Sequence, residues 1–140
     1  YILDKENEIK SLKELTDILQ EKPLYIDCWA TWCAPCFEEF KHNEGLKGFL
    51  KSEGIEMVYI NFDDNIYEAK WINSIRANNL TGYHLRANEL LIRDLVKKGL
   101  NNFLPTYMII DEQGEIIESN AFRPSDKEKL WEQFRNLLKE

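Results

Sequence analysis

The sequence predicts an α/β domain in which strands and helices alternate and then give way to a hairpin and a closing helix. Three observations predict it. Two short apolar runs, Leu24 to Trp29 and Ile55 to Phe62, have the length and continuity of strands covered on both faces. Segments with apolar residues at helical spacing lie before, between and after these runs. Tyr107 to Ile110 and Glu115 to Glu118 flank the turn Asp111-Glu112-Gln113-Gly114 and read as a hairpin. The order is βαβ followed by ββα, an α/β sandwich.

The elements follow in order. Ser11 to Glu21 carries Leu12, Leu15, Ile18 and Leu19 at helical spacing, and Pro23 stops it. The strand Leu24 to Trp29 holds one charge, Asp27. From Cys33 to about Leu50 the chain reads as mostly helical, with Phe37, Phe40, Leu46, Phe49 and Leu50 inward and Gly45 and Gly48 weakening a single unbroken helix. After the second strand and Asp63-Asp64-Asn65 comes a helical pair. Its first member runs from Tyr67 to about Ala77, with Trp71, Ile72 and Ile75 inward. Its second runs from Ala87 to Lys98, with Leu90, Leu91, Leu95 and Val96 inward and Gly99 as cap. The hairpin follows Leu104-Pro105-Thr106. Ser125, three residues before Glu128, is placed to form a capping box for the last helix, with Leu130, Trp131, Phe134, Leu137 and Leu138 inward.

Composition narrows the function. At 140 residues without repeats or a Pro/Gly/Ser-rich linker, the chain is expected to form a single domain over 1–140. It begins at Tyr1 with no charged-then-apolar leader, as removal of a signal peptide or of a larger upstream region would leave it, so the domain is also compatible with the C-terminal part of a longer precursor. A net charge of -7 leaves no basic stripe for phosphates, which argues against nucleic acid and anionic membrane surfaces as partners. With 31% charged residues, no apolar run approaches the length of a bilayer span. The triplet Asn79-Leu80-Thr81 is a sequon of a kind common by chance and carries no assignment.

Chemistry concentrates in Cys28-Trp29-Ala30-Thr31-Trp32-Cys33-Ala34-Pro35-Cys36. A redox cysteine acts as thiolate, so it needs its pKa lowered from about 8.5, which a helix N-terminus favours. Cys33 stands where a helix starts. Cys36, three residues on, shares its face and is placed to resolve a mixed disulfide on Cys33. Pro35 fits the first turn, where a missing N–H costs nothing. Other readings stay open at this point. A CxxC is half a zinc site, although Cys28 on a strand and His42 are the only nearby candidates to complete four ligands. A thiol peroxidase also uses a thiolate, and a pair without redox role is a further reading. Strand alternation sets Asp27 and Cys28 on opposite faces, so Cys28 reads as a small buried hydrophobe. His84 reads as structural or exposed, and Trp29, Trp71 and Trp131 as core.

Trp29 to Cys36, the upstream Asp27, Leu104-Pro105-Thr106 and the Asp111-to-Ile116 hairpin resemble the thioredoxin superfamily, in particular the TlpA/ResA-like thiol–disulfide oxidoreductases of bacteria. The resemblance spans nearly the whole chain. It implies a thioredoxin fold, a central mixed sheet flanked by helices, and the surplus between Asp63 and Pro105 resembles the family's helical insertion before the cis-proline strand in a Bacteroidetes-type form. It implies that Pro105 is the cis-proline facing the cysteines, with Leu104 offering backbone hydrogen bonds to an extended substrate and Trp32 and Pro35 bordering the same groove. Asp27 matches the buried acid beneath the second cysteine, fitted by desolvation to take the proton of Cys36. Glu39 matches the active-site glutamate of ResA-like proteins.

The implied function is dithiol exchange through Cys33 and Cys36, with no cofactor beyond that redox-active disulfide and no metal. The implied partners are disulfide-bearing proteins and an upstream thiol reductase, met by a monomer in the periplasm or another extracytoplasmic setting. Two departures bear on direction. Phe37 occupies the position after the second cysteine where the family has Lys or Arg, and Glu38 and Glu39 follow, so charge near Cys33 is negative and a reductant is expected over a strong oxidant. Lys41 replaces a proline that kinks the family's helix, which removes the expected cause of a bend. The rival reading from another class is a non-catalytic thioredoxin-like binding module of a larger envelope protein.

Overall fold

The computed structural model describes residues 1–3 and 8–138. Its centre is β1 (Leu24–Trp29), all six residues of which are buried, as a continuous apolar run requires when both faces are covered. β1 pairs in parallel with β2 (Glu56–Asn61) and antiparallel with β4 (Thr106–Ile110); β3 (Tyr83–Arg86) and β5 (Ile116–Glu118) complete the five-stranded order β3-β2-β1-β4-β5. The hairpin turn is tied by the Asp111 carboxylate, which accepts from the N–H groups of Gln113 (2.9 Å) and Glu115 (3.0 Å).

The alternation of β1 divides the interior into two cores. Tyr25 and Trp29 face one side, where α2 (Ala34–Phe40), α3 (Asn43–Glu53), α4 (Glu68–Ala77) and α6 (Glu128–Leu138) contribute Cys36, Phe40, Leu46, Leu50, Trp71, Leu130 and Phe134. Leu24, Ile26 and Cys28 face the other, against α1 (Leu12–Ile18) and α5 (Glu89–Lys97). Trp29 packs edge-on against Phe37 and Phe40, with ring centroids 5.9 and 5.2 Å apart. Such pairs add about 0.5–1.5 kcal/mol each beyond area burial and anchor α2 on the strand that precedes it.

Several details differ from expectation. The segment after Cys33 is two helices, and the break lies at Lys41–His42 and not at a glycine; Gly45 and Gly48 both sit inside α3. There the bonding tightens, with His42 N–H reaching Glu39 O at 3.0 Å, and Asn43 turns inward to donate to the Tyr59 hydroxyl at 2.8 Å. A buried tertiary hydrogen bond thus accompanies the bend that no proline supplies. The helical insertion also contains a strand, β3, whose His84 is buried: its ring stacks on Tyr59 at 4.7 Å and its Nε2 lies 2.6 Å from Leu80 O. A polar residue hid a strand of four. On α5, Leu91 and Leu95 face inward while Leu90 and Val96 are exposed, and on α6 Leu137 is exposed. Helix α5 begins two residues later than expected, with Asn88 as the cap that accepts from Leu91 N–H at 2.8 Å. Ser125 caps nothing: the 3-10 turn Pro124–Asp126 is closed by Arg123 N–H on the Asp126 carboxylate at 2.8 Å, and α6 starts after it.

Candidate active site

The carboxyl ends of β1 and β2 run side by side, and the loops that leave them meet. Phe62 N–H donates to Trp29 O at 2.8 Å, and the buried Asp63 carboxylate accepts from Thr31 N–H at 2.9 Å, which fixes the approach to Cys33. Cys33 is the extended N-cap of α2 and its Sγ accepts from Cys36 N–H at 3.3 Å. Pro35 lies in the first turn, as its missing N–H allows. Cys33 and Cys36 form a disulfide with Cα atoms 5.4 Å apart. The Leu104–Pro105 peptide is cis and leads directly into β4, whose first residue pairs with Cys28. Both cysteines are buried, Cys33 at 4% exposure and Cys36 at 0%, while Trp32 beside Cys33 is 66% exposed.

Asp27 is fully buried on β1 between Ile26 and Cys28, and neither carboxylate oxygen has a hydrogen-bond partner among the described residues. Alternation puts it on the side of Tyr25 and Trp29. Burial pushes its pKa well above the usual carboxylate range, and the negative charge of Glu39 pushes it further. The tyrosines around it are pushed upward mainly by burial, so Tyr25, Tyr59 and Tyr107 stand there as neutral groups. Tyr25 stacks on Tyr107 at 5.5 Å and donates its hydroxyl to Phe122 O at 2.8 Å. Glu39 is buried as well. Its two oxygens accept from Ser125, one from the backbone N–H at 2.9 Å and one from the hydroxyl at 2.8 Å.

The structure therefore places Cys33 and Cys36 in the core on the side of β1 that carries Asp27, sets Glu39 on the same helix as Cys36 and within reach of Asp27, and leaves Trp32, Pro35, Leu104 and Pro105 at the same end of the sheet. Cys28 lies in the opposite core, and burial and Asp27 hold its thiol well above the ordinary range. Alkylation of the reduced native protein is expected to modify Cys33 rapidly and leave Cys28 unlabelled until the protein is denatured; peptide mapping after a timed quench checks this. His42 is the N-cap of α3, while His84 sits on β3 with its pKa lowered by burial to about 4. Among the described residues no group of three or more His, Cys, Asp or Glu side chains is placed to hold a metal ion.

Sequence reasoning missed Asp63, read only as part of a turn, and Ser125, read as a helix cap. It also passed over two exposed apolar residues, Ile66 in the 3-10 turn Asn65–Tyr67 after Asp63 and Phe103 just before Leu104. Concavities of about 640 and 690 Å³ lie away from the cysteines, beside the Tyr1–Leu3 segment and along α5.

Comparison with known proteins agrees with this geometry. The Redoxin family model matches residues 3–132. The thiol-disulfide oxidoreductase ResA of Halalkalibacterium halodurans is 27% identical over 97% of this chain and 71% of its own length. ResA of Bacillus subtilis is 27% identical over 90% of this chain, and the match spans 66% of that relative, so about a third of it lies outside the shared region. A solution structure from Bacteroides vulgatus, of a proposed thiol-disulfide oxidoreductase, is 31% identical, covers 87% of this chain and 77% of its own, and superposes with a TM-score of 0.66. A five-stranded mixed sheet, a disulfide between Cys33 and Cys36, and similarity across nearly all of its length lead to one conclusion: the chain belongs to the Redoxin family, as a TlpA/ResA-like thiol–disulfide oxidoreductase of the thioredoxin superfamily.

Proposed function

We propose that the chain reduces disulfides of protein substrates, with Cys33 as nucleophile and Cys36 as resolver. The observation that carries this reading is the placement of the disulfide-linked Cys33–Cys36 pair at the start of α2, packed in the same core as the Tyr25–Trp29 face of β1 that holds Asp27. The Cys33 thiolate attacks a substrate disulfide, forms a mixed disulfide and releases one substrate thiolate. Cys36 then gives its proton to the Asp27 carboxylate and attacks Sγ of Cys33, which releases the second substrate thiolate and closes the Cys33–Cys36 disulfide. The substrate gains two electrons and the pair loses them; a dithiol reductase upstream returns them. In the closed state Asp27 holds the proton, in keeping with a buried carboxyl that has no donor among the described residues.

Trp32, Pro35 and the Leu104–Pro105 step line the rim where an extended substrate segment lies, with the Leu104 backbone as its hydrogen-bonding edge. Reduction is favoured over oxidation by the chain after the pair: Phe37 adds no positive charge, and Glu38 and Glu39 are negative, so the thiolate is stabilised less. Similarity to ResA supports an extracytoplasmic setting, in which the chain works as a monomer on disulfide-bearing envelope proteins.

Turnover of a protein disulfide such as that of insulin, with dithiothreitol as the electron source, tests the reading. Catalysis that requires both Cys33 and Cys36 is expected. No catalysis with both thiols reduced and accessible would point to a binding module, and peroxide consumption that survives Cys36→Ser with an external thiol would point to a peroxidase.

A further inference from the structure

Ser125 lies 86 residues from Glu39 in sequence, is exposed, and yet gives both of its donors to one buried carboxylate. Two donors on two different oxygens leave that carboxylate little freedom to rotate. The turn that presents them is itself closed at both ends, by Arg123 N–H on the Asp126 carboxylate at 2.8 Å and by Asp126 N–H on Arg123 O at 2.9 Å. Glu39 belongs to α2, the helix of the redox pair, and follows Cys36 by three residues on the same face. Asp27, by contrast, is fully enclosed with no donor at either oxygen among the described residues. Two carboxyl groups thus share one side of the sheet, one held in place and one left unbonded.

We propose that Ser125 is a positioning residue of the exchange site: it fixes the orientation of the Glu39 carboxylate toward the core and so sets the field in which Asp27 exchanges its proton with Cys36. The inference rests on the proposed dithiol exchange and deepens it. Glu39 is the charge that reaches Asp27 itself. Tyr25 on β1, Tyr59 on β2 and Tyr107 on β4 face the same space as neutral groups. On the turn, the Asp126 carboxylate accepts from Arg123 N–H and its charge acts on Tyr25, while Arg123 acts on Tyr107. On α2, Glu38 and Lys41 pair with each other at 3.1 Å on the exposed side. The charge that acts on Asp27 is that of Glu39. A Glu39 that swings away from the core weakens this repulsion, and Asp27 then ionises at lower pH.

The test is the pH dependence of insulin disulfide reduction by the intact protein, read at the limb that Asp27→Asn removes. Wild-type turnover comes first, since its absence sinks the parent reading and not the role of Ser125 alone. Glu39→Gln is expected to move the limb to lower pH by about one unit, the effect of deleting one close like charge. Ser125→Ala is expected to move it the same way by at least about a third as much, and Ser125→Thr, which keeps the hydroxyl, to restore the wild-type position. In the Glu39→Gln background Ser125→Ala is expected to add nothing. The proposal is overturned if Ser125→Ala leaves the limb in place while Glu39→Gln moves it, or if the two shifts add in the double variant. Because Ser125 is exposed, its alanine variant is expected to fold; thermal unfolding of both Ser125 variants verifies this.

Discussion

Cys36→Ser is expected to stop turnover and to leave Cys33 joined to its substrates as mixed disulfides. The resolving thiol is then gone while the Cys33 sulfur, at the helix cap beside exposed Trp32, still attacks. Rates fall to background, a loss of at least about a thousandfold for a residue without which the cycle cannot close. Captured proteins are expected to separate on reduction in a two-dimensional non-reducing/reducing gel, and mass spectrometry identifies them and with them the compartment. Cys33→Ser, which keeps only the fully buried Cys36, is expected to capture nothing. Equal capture by both variants, or none by Cys36→Ser in a host extract with intact disulfides, would remove Cys33 from the role of nucleophile.

The second large effect belongs to Asp27, and it splits activity from stability. Asp27→Asn keeps the shape and removes the proton acceptor, so exchange at neutral pH is expected to slow by about 10²-fold. Stability moves the other way. The folded-state pKa of Asp27 is raised, so its contribution is fully present below the ordinary carboxylate range, where folded and unfolded chains both hold the proton. As pH rises above that range the unfolded chain releases the proton first, and stability falls by about 1.4 kcal/mol per pH unit until the raised folded value is reached. Urea unfolding of the oxidised protein between pH 4.5 and 8 is expected to show this decline in wild type, and a flatter profile with greater stability at the alkaline end in Asp27→Asn. A wild-type profile with no decline over this interval would mean that Asp27 is not held neutral by burial.

Much of the fold and of the site is legible in local sequence pattern. The run Leu24 to Trp29 is a strand because its apolar residues are continuous, and its period of two already separates Asp27 from Cys28; the two cores bear out that separation. Trp71, Ile72 and Ile75 face inward on α4 as their spacing requires. Where local pattern misleads, the deciding partner is distant in sequence or hidden by a polar side chain. His84 is a strand residue whose ring stacks on Tyr59 and whose Nε2 bonds with Leu80 O, and neither contact has a local signature. The helix after Cys36 breaks at Lys41–His42 where Asn43 turns in toward Tyr59, although the glycines nearby are the weaker helix formers.

Spacings of two to six residues are enough to specify the cysteine pair, its place at a helix start and the strand that carries Asp27. Three other properties exist only once the chain has packed: that both cysteines are buried, that Asp27 has no donor among the described residues, and that Glu39 is held by Ser125. Those are set by burial and by hydrogen bonds that close over tens of residues. Local periodicity places a side chain on a face, but the packed neighbours across that face fix its solvation and charge.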